Sequence, residues 1–128
     1  MSHMDKTILI VEDEVDLREA MSEALTEAGF TVTTATNGAE GLKFATDSHP
    51  DLILMDLMMP IMNGQEMLKQ LRLDPWGRNA HVVVLSAMDD VNNIGHAHEG
   101  KILDYIIKAH TSLDELVKQV RMLIAGQS

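Results

Sequence analysis

Cysteine is absent from the 128 residues. Neither a disulfide nor a thiolate zinc site can form. Basic residues are scarce: ten lysines and arginines face twenty aspartates and glutamates, a net charge of −10. A nucleic-acid surface needs a basic stripe, so the balance argues against nucleic acid as a partner. It favours a cation ligand or a protein with basic patches. No apolar run approaches the length of a membrane span, and no secretory leader is visible. The expected location is therefore cytoplasmic, with no membrane partner. Linkers, internal repeats and low-complexity tracts are also missing. What is present is 45% apolar residues in a length suited to one domain with a real core. Residues 1–4 read as a cloning remnant, leaving residues 5–126 as the expected domain.

Apolar runs alternate with helical periodicity along the chain. Residues 7–11 read as a buried strand. Leu17, Ala20, Met21, Ala24, Leu25 and Ala28 then recur on one helical face, and Gly29 is placed to stop that helix. Residues 30–35 are rich in β-branched side chains and read as strand two. Asn37 and Glu40 have capping-box spacing for a second helix, which should end before Pro50. Residues 52–55 form strand three, and a third helix spans 64–72 before Asp74-Pro75. Residues 82–85 and 105–107 are strands four and five, with a weak helical stretch at 89–99 between them. Ser112 and Glu115 repeat the capping-box spacing, and Leu113, Leu116, Val117, Val120, Leu123 and Ile124 form the last apolar face. Five strand–helix repeats with short links predict an α/β fold, (βα)5, a doubly wound parallel sheet. Right-handed crossovers leave few topologies, and the flavodoxin-like order 2-1-3-4-5 is the common one for five strands.

The chemistry gathers at strand ends. Strand one runs into Glu12 and Asp13, strand three into Asp56, strand four into Ser86 and strand five into Lys108. In the expected order the chain reverses between strands one and three, where open α/β sheets bind ligands. Glu12, Asp13 and Asp56 should meet at that crevice. Three converging carboxylates repel unless a cation neutralises them, and hard oxygens suit magnesium. The blander alternative is that Asp13 caps the first helix and Asp56 caps a turn. Lys108 is placed to pair with Asp56 and to hold a phosphoryl oxygen, with Ser86 donating to another. Their plain alternatives are a lone surface ammonium and a hydroxyl bonded to its own backbone.

These residues carry a resemblance. Glu12-Asp13 after strand one, the run Asp56-Leu-Met-Met-Pro-Ile-Met-Asn-Gly64, Ser86 within Leu85-Ser-Ala87, and Asp104-Tyr-Ile-Ile-Lys108 stand in order on the expected elements. Over nearly its whole length the chain resembles the receiver domain of bacterial two-component response regulators. The resemblance implies a phosphoryl-accepting switch in which Asp56 receives the group from a histidine kinase or a histidine phosphotransfer protein. It implies magnesium, with manganese as a substitute, bound directly by Asp13 and Asp56, through water by Glu12, and by the backbone carbonyl of Met58. Ser86 and Lys108 would hold phosphoryl oxygens, and Tyr105 matches the aromatic that turns inward on activation. A downstream protein partner would dock on the face built from the fourth helix, fifth strand and fifth helix. Because the chain ends soon after its last helix, a stand-alone domain like a chemotaxis regulator is expected. It would be no enzyme beyond its own phosphorylation and dephosphorylation.

Two departures from the family pattern stand out. Ala109 replaces the proline that usually follows the lysine through a cis peptide. A cis bond before alanine costs about 3 kcal/mol, so a trans bond is expected. The Gly-Ala pair usual before the aromatic is also altered: Lys101 follows Gly100. Met58 and Met88 occupy the family positions that border the line of water attack. Both are apolar, so slow hydrolysis of the acyl phosphate is expected. Met55, Met58, Met59, Met62 and Met67 read as soft core filling. His96 and His98, two apart, point to opposite sides of a helix and are poor metal ligands. Alternative functions are a phosphorelay intermediate, a pseudo-receiver without chemistry, and a small phosphatase with an Asp nucleophile. The phosphatase needs an acid two residues after Asp56, where Met58 stands.

Overall fold

The structure, a computed structural model, describes residues 6–87 and 101–126. In chain order the described elements are β1 (Thr7–Val11), α1 (Val15–Glu27), β2 (Thr31–Ala35), α2 (Gly38–Ser48), β3 (Leu52–Asp56), α3 (Gly64–Leu73), β4 (Val82–Ser86), β5 (Asp104–Ile107) and α4 (Leu113–Ala125). Short 3-10 turns lie at Gly77–Asn79 and Lys108–His110. The sheet order is β2-β1-β3-β4-β5, with every pair parallel, as expected. The weak helix expected at 89–99, with His96 and His98, lies outside the described residues.

The strands follow from their composition. β3 and β4 are buried along their whole length, because helices cover both faces of the central sheet. Edge strand β2 alternates exposed and half-buried residues before ending at buried Ala35. Alternate side chains feed two cores. Leu9, Val11, Ile53, Met55, Val82 and Val84 pack with Met67, Leu68 and Leu71 of α3. Ile8, Ile10, Leu52, Leu54, Val83 and Leu85 pack with Met21 and Leu25 of α1 and with Leu116, Val120 and Ile124 of α4. Truncating one such leucine to alanine costs about 2–5 kcal/mol.

Helix ends explain the spacing. Gly29 takes φ 104 after α1, a left-handed conformation that favours glycine. Ser112 and Glu115 form a complete capping box on α4. At α2 only half of the expected box forms. The Asn37 side chain accepts from the Glu40 amide at 2.9 Å, but the Glu40 carboxylate reaches past Asn37 to the Thr36 amide at 2.7 Å. β3 extends to Asp56 itself, so the acid belongs to the strand and not to the following loop.

Candidate functional site

Strand register brings the expected residues together. Val11 pairs with Met55, so Glu12 leaves β1 level with Asp56 on β3. Asp56 pairs with Leu85, and Ser86 with Ile107. Glu12, Asp56, Ser86 and Lys108 therefore emerge at successive positions along one sheet edge. Oxygens of Glu12, Asp13 and Asp56 lie within 4.8 Å of one another. Glu12 is fully buried and Asp56 is 4% exposed, whereas Asp13 is exposed. Gly64 opens α3 hard against β3. A Cβ there would run into the Asp56 carbonyl oxygen, which explains glycine at this point of the motif.

Lys108 is the cation of the cluster. Its Nζ lies 2.9 Å from Asp56 Oδ2, the pair expected from sequence, and 2.7 Å from Glu12 Oε1, a contact that was not expected. At 2.7 Å the Glu12 contact is a close charge-assisted one, and Lys108 is the one partner of the buried Oε1 among the described residues. The other Glu12 oxygen accepts from the Glu14 amide at 3.1 Å. Burial raises the Glu12 pKa to about 7, and nearby Asp56 adds to the rise against the pull of Lys108 and the Glu14 amide. Burial alone would lower the Lys108 pKa, but its two carboxylate partners outweigh burial and hold it above the ordinary lysine value.

One ammonium against three carboxylates leaves two negative charges when all three acids are ionised. The cluster of hard carboxylate oxygens and that excess charge together fit a divalent cation such as magnesium. Asp56 also accepts from the Met58 amide at 3.2 Å. The turn-capping alternative thus holds at Asp56 alongside the ion pair. At Asp13 it fails, because the N-cap of α1 is Glu14, without a side-chain bond, and the Asp13 carboxylate makes no hydrogen bond among the described residues.

Ser86 is fully buried, and its hydroxyl donates to the neighbouring Ala87 carbonyl at 3.1 Å. This is the plain reading of that hydroxyl. Tyr105 is half-buried against the core beside α3, and burial raises its phenol pKa. The Lys108–Ala109 peptide is trans, as expected, and Lys108 still reaches the cleft. Met55 and Met67 are core filling, and Met59 and Met62 pack on the core as partly buried residues. Met58 is a correction: it is 59% exposed, because it lies on the loop beyond the strand, next to Asp56. Met88 lies outside the described residues.

Sequence reasoning missed Arg18. From α1 its Nη1 donates to the Glu12 carbonyl at 3.0 Å and, less closely, to the Asp13 carbonyl at 3.4 Å. A signal was available, since Arg18 is the lone base between residues 12 and 27, among seven acids. The Glu12–Lys108 contact had no such signal, because it joins elements that only the folded sheet brings together.

The profile of the response regulator receiver domain matches residues 8–121. A probable transcriptional regulatory protein, SilR of Salmonella typhimurium, is 36% identical over 117 residues, 91% of this chain and 50% of that protein. The chain thus spans about half the length of the transcriptional regulators it matches. Among solved structures, the receiver domain of Francisella response regulator 1452 is 29% identical with a TM-score of 0.85, covering 97% of this chain and 100% of that one. The response regulator TrrA from Thermotoga maritima, in complex with Mg2+ and BeF, is 31% identical with a TM-score of 0.79, covering 92% and 98%. Among the described residues no helix is long and apolar enough to cross a membrane.

Proposed function

The chain belongs to the response regulator receiver family, and from that membership we propose that it is a phosphoryl-accepting switch with Asp56 as the acceptor. The observation that carries this reading is the buried Asp56 carboxylate, 2.9 Å from the Lys108 ammonium and clustered with two further acids. An Asp56 oxygen attacks phosphorus in a phosphohistidine of a kinase or phosphotransfer protein. The new P–O bond forms as the P–N bond breaks, and the imidazole leaves with the bonding pair and takes up a proton. The product is an acyl phosphate. Carboxylate oxygen needs no general base, so positioning and charge neutralisation do most of the work.

In this reading Asp13 and Asp56 would hold a magnesium ion directly, Glu12 would hold it through water, and Met58 would offer its backbone carbonyl. The ion's contribution is to neutralise the charge that gathers between acceptor and phosphoryl group. Lys108 follows the phosphoryl oxygens, and the Ser86 hydroxyl leaves the Ala87 carbonyl to donate to another of them. Tyr105 and the surface around β5 then carry the change to a downstream protein. The domain boundaries 5–126 and a cytoplasmic location complete the reading.

The test is phosphorylation by acetyl phosphate with magnesium. The wild type should gain one hydroxylamine-labile phosphate, and Asp56→Asn should gain none. Label that persists on the Asn variant moves the acceptor elsewhere and overturns the assignment.

A further inference from the structure

The acid loop between β1 and α1 poses a mechanical problem. Asp13 is exposed and its carboxylate has no hydrogen bond among the described residues, yet its oxygen stands within 4.8 Å of oxygens on Glu12 and Asp56. Lys108 offsets part of the charge on Glu12 and Asp56, but the remaining like charges push apart and no bond on the Asp13 side chain holds it among the described residues. For Asp13 the hold therefore comes through the backbone. Glu12 is held by its own amide, which donates to Ala35 O at 3.1 Å, and by its Oε2 on the Glu14 amide. Among the described residues, the one side chain that reaches this backbone from outside the loop is Arg18, through the carbonyls of Glu12 and Asp13. Arg18 lies on the first turns of α1, so the loop is tied to a helix packed against the core.

We propose that Arg18 is a positioning residue for the cation site: its guanidinium fixes the carbonyls of Glu12 and Asp13, so that both carboxylates face Asp56 before a divalent cation arrives. This rests on the cation-binding reading above. The guanidinium touches neither cation nor phosphoryl group. It acts by holding ligands in place against their mutual repulsion, and its own positive charge offsets part of that repulsion. Groups that orient metal ligands from behind are worth about 10–100-fold in metal affinity. Helix propensity does not confound the change, since alanine is at least as good a helix former as arginine.

The experiment is calorimetric titration of the whole chain with magnesium alone, for the wild type, Arg18→Ala, Arg18→Met and Arg18→Lys, with urea unfolding of each in EDTA. Arg18→Ala and Arg18→Met should raise the magnesium dissociation constant about tenfold or more. Arg18→Lys, whose ammonium can still reach one carbonyl, should recover most of that loss. Wild-type binding with unchanged affinity in the Ala and Met variants overturns the proposal and leaves the cation site standing. Loss of affinity in all three variants, in proportion to lost stability in EDTA, makes Arg18 a structural staple and also overturns it. A wild type that takes up no magnesium refutes the cation site itself, and this proposal with it.

Discussion

Replacing Glu12 by Gln removes a charge from a fully buried position and keeps the shape of the protonated acid. The Glu12 pKa is raised from 4.5 to about 7, chiefly by burial. Between those values the folded protein binds more protons at this site than the unfolded chain does. Stability of the cation-free protein therefore falls as pH rises from about 4.5 to about 7, and the loss is complete above that window. The shift corresponds to about 3 kcal/mol for the fully ionised group. Gln carries no such penalty, and Asp56, 2.9 Å from Lys108 in the wild type, is still there to pair with the ammonium. In EDTA the variant should therefore be more stable than the wild type by up to about 3 kcal/mol at pH 8. The difference should shrink with acid and vanish near pH 4.5. Trp76 is the only tryptophan, so urea unfolding followed by its fluorescence reads both proteins. Saturating magnesium should narrow the difference, because a ligand that binds only the folded state adds more stability to the protein that binds it better. A variant no more stable than the wild type at pH 8 in EDTA would refute the reasoning. So would a difference that does not decline with acid.

Three further outcomes are expected. Asp13→Asn should weaken magnesium binding more than Glu12→Gln, since Asp13 is read as a direct ligand and Glu12 as one acting through water; equal losses in a calorimetric titration would reject that division. Met58→Asn should speed loss of the Asp56 phosphate severalfold with magnesium present, because an amide beside Asp56 can orient water where a thioether cannot; unchanged or slower decay would refute the shielding role. Arg72→Met should cost about 2–3 kcal/mol in urea unfolding. The half-buried guanidinium donates to the carbonyls of Gly77 at 2.7 Å, Ala80 at 2.8 Å and Lys101 at 3.2 Å, joining the end of α3 to the starts of β4 and β5. A loss below about 0.5 kcal/mol, the usual range for a surface change, would remove it from that role.

The elements were legible where one physical signal dominated. The apolar runs of β3 and β4 are buried on both faces, and no other element tolerates four or five consecutive buried residues without helical spacing. The box at Ser112 was readable because both bonds are local. The box at Asn37 formed only in part because Glu40 is long enough to choose between neighbouring amides, and spacing does not record which one it takes. The site was legible for a related reason: parallel strands bring their carboxyl ends to one edge, so residues that end strands must gather there. What those residues touch was less legible. Lys108 prefers Glu12 and Asp56 together because the buried acids have no other described cation, a fact of depth and not of spacing. Met58 was misjudged as core filling because composition cannot tell the last buried residue of a strand from the first exposed residues of its loop.

The Lys108 ammonium is shared between two buried acids, and on the proposed reading this bears on how a signal would leave the site. Before transfer, Lys108 divides itself between Glu12 at 2.7 Å and Asp56 at 2.9 Å. A phosphoryl group on Asp56 would place new anionic oxygens beside Nζ and draw it from Glu12. Glu12 would then stand buried without its ammonium, a costly arrangement unless a proton or a divalent cation takes its place. On the proposed reading, phosphorylation and cation binding would be coupled through Glu12, each favouring the other. Lys108 follows β5 directly and opens a 3-10 turn leading to the Ser112 cap of α4. At the other end of β5, Asp104 accepts from Gln119 of α4 at 2.6 Å, so strand and helix are tied near both ends. A shift of the Lys108 backbone would therefore have a short route to both β5 and α4. Tyr105 lies on β5 between the two ties and packs on the core. A partner that binds that face differently in the two positions would read the state of Asp56 without touching it.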